Sequence, residues 1–186
     1  MMENKLMIKL VVLTEGMFFL SLIMAFVYMA YNAGFEKHDV RALNITSTAI
    51  FTLLLAVSSL TLWLAERQFK SGNIKGLKFW LLITILLGGT FLFGQGREYL
   101  QLVHQHVTLS GSLFGTSFYT LTGFHGLHVF IGLVILSILL WLTLLGDFNN
   151  SSSTVIGTAA IYWHFVDIVW LFVFTIVYVI PLFIKF

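Results

Sequence analysis

Five stretches of this chain stay apolar for too long to belong to a soluble fold: Leu10–Tyr31, Ile45–Leu64, Phe79–Gly96, Leu113–Leu145 and Thr154–Ile184. A helix needs roughly 20 mostly apolar residues to cross the hydrocarbon of a bilayer. The runs are continuously apolar and do not alternate, which excludes a closed membrane barrel. The pattern predicts an all-α, polytopic bundle of five transmembrane helices in a single domain over residues 1–186. The third stretch is short and extends at its start through Leu77. The last two exceed one crossing and are expected to tilt or to project beyond the hydrocarbon.

Polar segments punctuate these runs. Gly146–Thr154 carries Asn149, Asn150 and the serines Ser151, Ser152 and Ser153, and reads as a turn between spans four and five. Met1–Lys9 is short and charged. The apolar run after Lys9 is longer than a signal-peptide core, contains Glu15 and lacks an Ala-x-Ala site, so it reads as a retained helix. Lys5, Lys9, Arg67, Lys70, Lys75 and Lys78 fall on one side of the five spans, against Lys37, Arg41, Arg97 and Lys185 on the other. The positive-inside rule then places the N-terminus in the cytoplasm and the C-terminus outside.

Composition agrees with the pattern and narrows the chemistry. Hydrophobic residues make up 59% of the chain and charged residues 10%, which leaves little mass outside a membrane. There is no cysteine, so disulfides, thiolate metal sites and cysteine nucleophiles are excluded. A formal charge of +2 with no basic stripe gives no reason to expect nucleic acid. No phosphate loop, nucleophile–base pair or di-carboxylate motif is present.

The informative residues are the polar ones inside the spans, because polar groups in hydrocarbon are costly and are kept for packing or function. Glu15 must be neutral, paired or wetted, either as a proton-linked carboxyl or as a structural group facing another helix. His125 and His128, three apart, share a helix face beside Gly123 and Gly126. Neutral imidazoles there can ligate haem or copper, or bond between helices. One helix cannot supply both axial haem ligands from positions i and i+3, and only His164 offers a partner from another span. His164 and Asp167 are again three apart, which suits a carboxylate–imidazole pair serving a relay, a metal's outer shell or a helix contact. Trp163, Asp167 and Trp170 form one stripe, and the two tryptophans read as packing residues. Gly88, Gly89, Gly94 and Gly96 suggest a smooth face for a tight helix crossing. At the end of the same span, Glu98 is expected to pair with Arg97 or with a polar group of another helix, and Arg97 is a candidate for a lipid headgroup. His104 and His106 read as solvated loop residues.

Two of these regions resemble the last two transmembrane helices of subunit III of the haem-copper terminal oxidases. One runs through Gly115, Phe118, Gly123, Phe124, His125, Gly126, Leu127, His128 and Val129. The other is Tyr162-Trp163-His164-Phe165-Val166-Asp167-Ile168-Val169-Trp170-Leu171-Phe172. The resemblance covers nearly the whole chain. Thr14-Glu15-Gly16-Met17-Phe18-Phe19 is similar to the family's Ser-Glu-x-Met-Phe-Phe segment, with Glu15 on its carbodiimide-reactive carboxylate. The second span, with Trp63 and the turn at Gly72-Asn73, is similar too. Glu98-Tyr99 matches the family's Ser-Glu-Tyr, while Arg97 departs from it.

The resemblance implies the shorter, five-span bacterial form, in which two extra helices sit on the catalytic subunit. It implies a non-catalytic core subunit of a proton-translocating oxygen reductase in a respiratory chain, in the bacterial cytoplasmic membrane. Subunit I is then the main contact and subunit II a further partner. Haem and copper are expected in those partners and none in this chain, with phospholipid as a possible ligand. Glu15, Glu98, His125, His128, His164 and Asp167 become polar contacts that tie the bundle together. The alternatives are a subunit-III-like accessory of a bacterial nitric oxide reductase, an independent membrane haem protein, and a small proton-coupled transporter using Glu15 and Asp167. The last lacks the inverted repeat and paired broken helices of such transporters.

Overall fold

The computed structural model describes residues 2–32, 34–35, 39–40, 42–146 and 153–183. Lys37, Arg41, Lys185, Ile184 and residues 147–152 of the predicted turn lie outside them. The described residues contain five long helices: α1 (Met2–Asn32), α2 (Ile45–Lys70), α3 (Ile74–His104), α4 (Leu113–Leu145) and α5 (Ser153–Phe174). A π-helical turn, Thr175–Val179, and a last short helix, α6 (Ile180–Phe183), continue α5. All five long helices have the length and apolar content to cross a membrane.

Their ends are set by local chemistry. Asn44 caps α2 by accepting from the Ser47 N–H at 3.1 Å, and Asn73 caps α3 through Gly76 at 3.1 Å. Ser112 caps α4 through Gly115 at 3.0 Å, and Gly146 closes α4 in the left-handed region, at φ 79°. Gly72, at φ 75°, makes the sharp turn of the α2–α3 hairpin.

Several helices outrun their apolar cores. α2 continues past Leu64 on polar residues to Lys70, with exposed Lys70 paired to half-buried Glu66 at 2.8 Å, and Arg67 lying 5.8 Å over the Trp63 ring. α3 begins at Ile74 and carries Gln95, Arg97 and Glu98 inside the helix, where the apolar pattern stops at Gly96. Hydropathy marks the hydrocarbon, whereas helix ends follow caps and backbone bonding, so the two boundaries differ.

The π turn also has a local cause. Pro181 has no N–H to offer the Val177 carbonyl, and its ring crowds that carbonyl. The backbone widens ahead of it, and the Ile180 N–H bonds to Thr175, five residues back.

Packing makes α5 the centre of the bundle. It lies against α1, α2 and α4, while α3 packs on α2 and α4. Half of the α5 span is buried within the chain, against 11% for α1, which leans on α4 and α5 from the outside. Trp163 shows how tight the centre is. A Cβ on Gly88 of α3 would stand 2.7 Å from its ring, and one on Gly132 of α4 would stand 2.8 Å from it. The two glycines form a slot that the indole fills. The expected single glycine face on α3 is not found. Gly88 meets Trp163 and Gly94 meets Phe51 of α2, while Gly89 and Gly96 have nothing within 4 Å. At 100° per residue Gly89 and Gly96 share one direction, while Gly88 and Gly94 point away from it and from each other.

Candidate functional site

The polar residues of the spans meet mainly along the seam between α2 and α5. Trp163, Asp167 and Trp170 follow the i, i+4, i+7 spacing and all reach α2. The Trp163 indole N–H donates to Ser58 Oγ at 3.0 Å, and the Trp170 N–H donates to Thr52 Oγ1 at 2.9 Å. Between them Ser59 bridges the two titratable groups. Its hydroxyl donates to Asp167 Oδ2 and stands 2.8 Å from His164 Nδ1. Donating to Asp167 leaves the hydroxyl oxygen to accept, so the Nδ1 nitrogen is the donor in the second bond. Asp167 and His164 thus share a partner on α2 in place of the direct carboxylate–imidazole contact that their spacing suggested. Sequence reasoning did not single out Ser59. The available signal was its place on one face of α2 with Thr48 and Thr52, at spacings i, i+4 and i+11.

A second cluster lies at the end of the bundle that contains the start of α2. Glu98 is 7% exposed. It accepts from Thr48 Oγ1 at 2.9 Å and from the Tyr178 hydroxyl at 2.9 Å. Three helical segments converge on this carboxyl, and Tyr178 comes from the π turn. Arg97, next along α3, is exposed and is not among these partners. Nearby, the Tyr99 hydroxyl lies 2.8 Å from Thr122 Oγ1, and the Gln95 amide donates to the Thr122 carbonyl at 2.7 Å. Gln95, Tyr99 and Thr122 join α3 to α4.

His125 and His128 go separate ways. His125 is fully buried, stacked on Trp170 at 4.7 Å and edged by Phe91 and Phe19. Neither of its ring nitrogens has a hydrogen-bond partner among the described residues. His128 turns to α1, where its Nε2 lies 3.1 Å from Glu15 Oε2, and its Nδ1 lies 2.7 Å from the Phe124 carbonyl. The Glu15 side chain is 34% exposed and that of His128 12%. His164, the one candidate for a second haem ligand, is bonded to Ser59 of α2. Among the described residues no three His, Asp or Glu side chains gather as metal ligands would. His104 and His106 are both exposed.

Such an arrangement defines a class: a polytopic membrane bundle most of whose interior titratable groups are spent on contacts between its own helices. Comparison with known proteins makes the assignment specific. Residues 2–181 match the family described as cytochrome c oxidase subunit III. The chain is similar to a probable cytochrome c oxidase subunit 3 of Nocardia farcinica, 39% identical over 166 residues, which is 89% of this chain and 82% of that one. It is similar to the probable cytochrome c oxidase subunit 3 of Mycobacterium leprae, 38% identical over 89% of this chain and 82% of that one. A quinol oxidase subunit 3 of Bacillus spizizenii is 40% identical over 72% of this chain and 65% of that one. The chain belongs to the cytochrome c oxidase subunit III family, the third subunit of the haem-copper oxidases.

Proposed function

We propose that this chain is a non-catalytic core subunit, packed beside the catalytic subunit I and near subunit II of an oxygen-reducing haem-copper complex. It carries no redox centre of its own. Its role is to support assembly and to sustain proton-coupled turnover, with phospholipid as an accompanying ligand. It spans the bacterial cytoplasmic membrane as a single domain, with the N-terminus inside and the C-terminus outside. The polar contacts made by Glu15, Glu98, His128, His164 and Asp167 hold its helices in register.

One observation carries this reading. The titratable groups of the spans do not converge on a common cavity. Five of them are used between helices: Glu98 with Thr48 and Tyr178, His164 and Asp167 with Ser59, and His128 with Glu15. A site for chemistry requires convergent groups around a space for substrate. The outer flank of α1, where Met17, Leu20 and Met24 are each about three-fifths exposed, is a broad apolar surface suited to lipid or to another subunit. Relatives named for cytochrome c and for quinol fit a subunit that takes no part in choosing the electron donor.

The test is to extract the native assembly in mild detergent, capture it through this chain, and record a reduced-minus-oxidised spectrum beside the subunit list. Haem bands that stay with a catalytic subunit and leave when this chain is separated support the proposal. Haem that remains with the isolated chain overturns it. A catalytic nitric oxide reductase subunit in the captured set would move the chain to that class of complex.

A further inference from the structure

We infer that Glu15 and His128 form a one-proton site: the pair holds a single proton between Oε2 and Nε2 and is neutral as a whole. The other ring nitrogen fixes the count. His128 Nδ1 lies 2.7 Å from the Phe124 carbonyl, one turn back on α4. A carbonyl oxygen only accepts, so Nδ1 carries a hydrogen. If the ring is neutral, Nε2 is then a bare acceptor. Yet Nε2 faces Glu15 Oε2 at 3.1 Å, and an ionised carboxylate is also only an acceptor. Two lone pairs do not bond, so one further proton must lie between them.

Two arrangements satisfy this count. The proton sits on Nε2, giving an imidazolium beside a carboxylate, or on Oε2, giving a neutral imidazole beside a carboxylic acid. Moving it from one to the other breaks one bond to hydrogen and forms one, and the net charge stays zero. This resolves the cost of placing a carboxyl inside an apolar span on the flank of the bundle. A lone carboxylate there would be strongly penalised, and a pair without net charge is penalised less.

The surroundings favour a closed pair. From α5, Tyr162 directs its hydroxyl to the His128 carbonyl at 3.3 Å, not to the ring. From α4, His125 is separated from the pair by Phe19, whose ring packs edge-on against both imidazoles at 6.4 and 4.9 Å. On α1, Lys9 is nearly two turns away and exposed. The pair is also a polar tie between α1 and α4, which otherwise meet through apolar surfaces and a Ser117–Met29 contact at 3.1 Å. One proton therefore completes the polar part of the attachment of α1 to α4.

The test reads both members at neutral pH in the full-length chain, within its purified complex or reconstituted in nanodiscs. Ring-nitrogen signals from ¹⁵N-histidine samples report the protonation of His128. The carboxyl band from ¹³C-glutamate samples reports Glu15. The Glu15→Gln variant identifies the Glu15 band by its loss, and its amide N–H can still donate to Nε2, so the fold is expected to survive. The His128→Gln variant identifies the ring signals. Two outcomes support the proposal: a doubly protonated ring with an ionised carboxylate, or a neutral Nδ1–H ring with a protonated acid. A neutral ring beside an ionised carboxylate overturns it, as does an imidazolium beside a protonated acid, or a ring with a bare Nδ1.

Discussion

Adding one methyl group at Gly88 should damage this bundle more than its size suggests. The new Cβ would stand 2.7 and 2.8 Å from two ring atoms of Trp163 and 3.0 Å from a methyl of Leu133. Ordinary contact begins near 3.4 Å, so the indole would have to retreat by roughly 0.6–0.7 Å. It has no room to do so. On its other side a Cβ at Gly132 would already be within 2.8 Å, and its N–H is held by Ser58. Overpacking of this kind costs typically about 1–3 kcal/mol, which lowers the folding equilibrium constant roughly 5-fold or more. Gly88→Ala should show this loss in unfolding by denaturing detergent against a mild-detergent background. Gly89→Ala is the control: it lies one residue on, has nothing within 4 Å, and should be neutral or slightly stabilising. Pairing Gly88→Ala with Trp163→Leu should recover part of the loss, because the smaller side chain vacates the slot. If Gly88→Ala and Gly89→Ala unfold at the same detergent concentration as the parent, the slot does not constrain the bundle and the reasoning fails.

Four other positions carry expected outcomes. Ser59→Ala should cost about 1–3 kcal/mol, because Asp167 and His164 lose their shared partner on α2. Asp167→Ala should weaken association with the complex, whereas Asp167→Asn, which can still accept from Ser59, should be milder. Stability of the complex to detergent reads all three, and an unchanged Ser59→Ala would mean the bridge is idle. Tyr178→Phe should destabilise by about 1–2 kcal/mol, since Glu98 would keep only Thr48 among its two side-chain donors. A thermal unfolding midpoint identical to the parent's would refute that. Glu15→Gln should leave the complex assembled with its haem, and change oxidase turnover or its durability only mildly. Loss of haem in that variant would contradict the accessory role.

Part of this architecture was legible because hydropathy and helical spacing are properties of one continuous stretch of sequence. The five spans follow from apolar length, and the Trp163, Asp167 and Trp170 stripe follows from spacing alone. The partners were harder to see. Serine and threonine are ordinary in membrane helices, where they can bond to their own backbone, so Ser59 carries no more local signal than Ser58 or Thr61. Its importance comes from sitting opposite Asp167 and His164, which is a fact of tertiary packing. The α3 glycines show the same limit, for their number suggested one smooth face, but only their angular positions decide which helix each one meets. The separation of His125 from His128 was likewise hidden. Three residues apart places them on the same side of α4, yet one ring turns into the aromatic centre and the other toward α1. The π turn had a readable cause in Pro181, though its effect, bringing Tyr178 to Glu98, depends on α3.

The hydroxyls of α2 also bear on how such a protein is made. Thr52, Ser58 and Thr61 each donate to a carbonyl of their own helix, at 2.8, 2.6 and 2.8 Å. Their protons are therefore satisfied before any neighbour arrives, and their oxygens remain free to accept. During synthesis α2 enters the bilayer well ahead of α5, and for that interval these three hydroxyls can rest in lipid with their protons already bonded. When α5 arrives, its two indole N–H groups find acceptors already in place. A helix prepared in this way can wait for its partner, and the order of insertion need not be rushed.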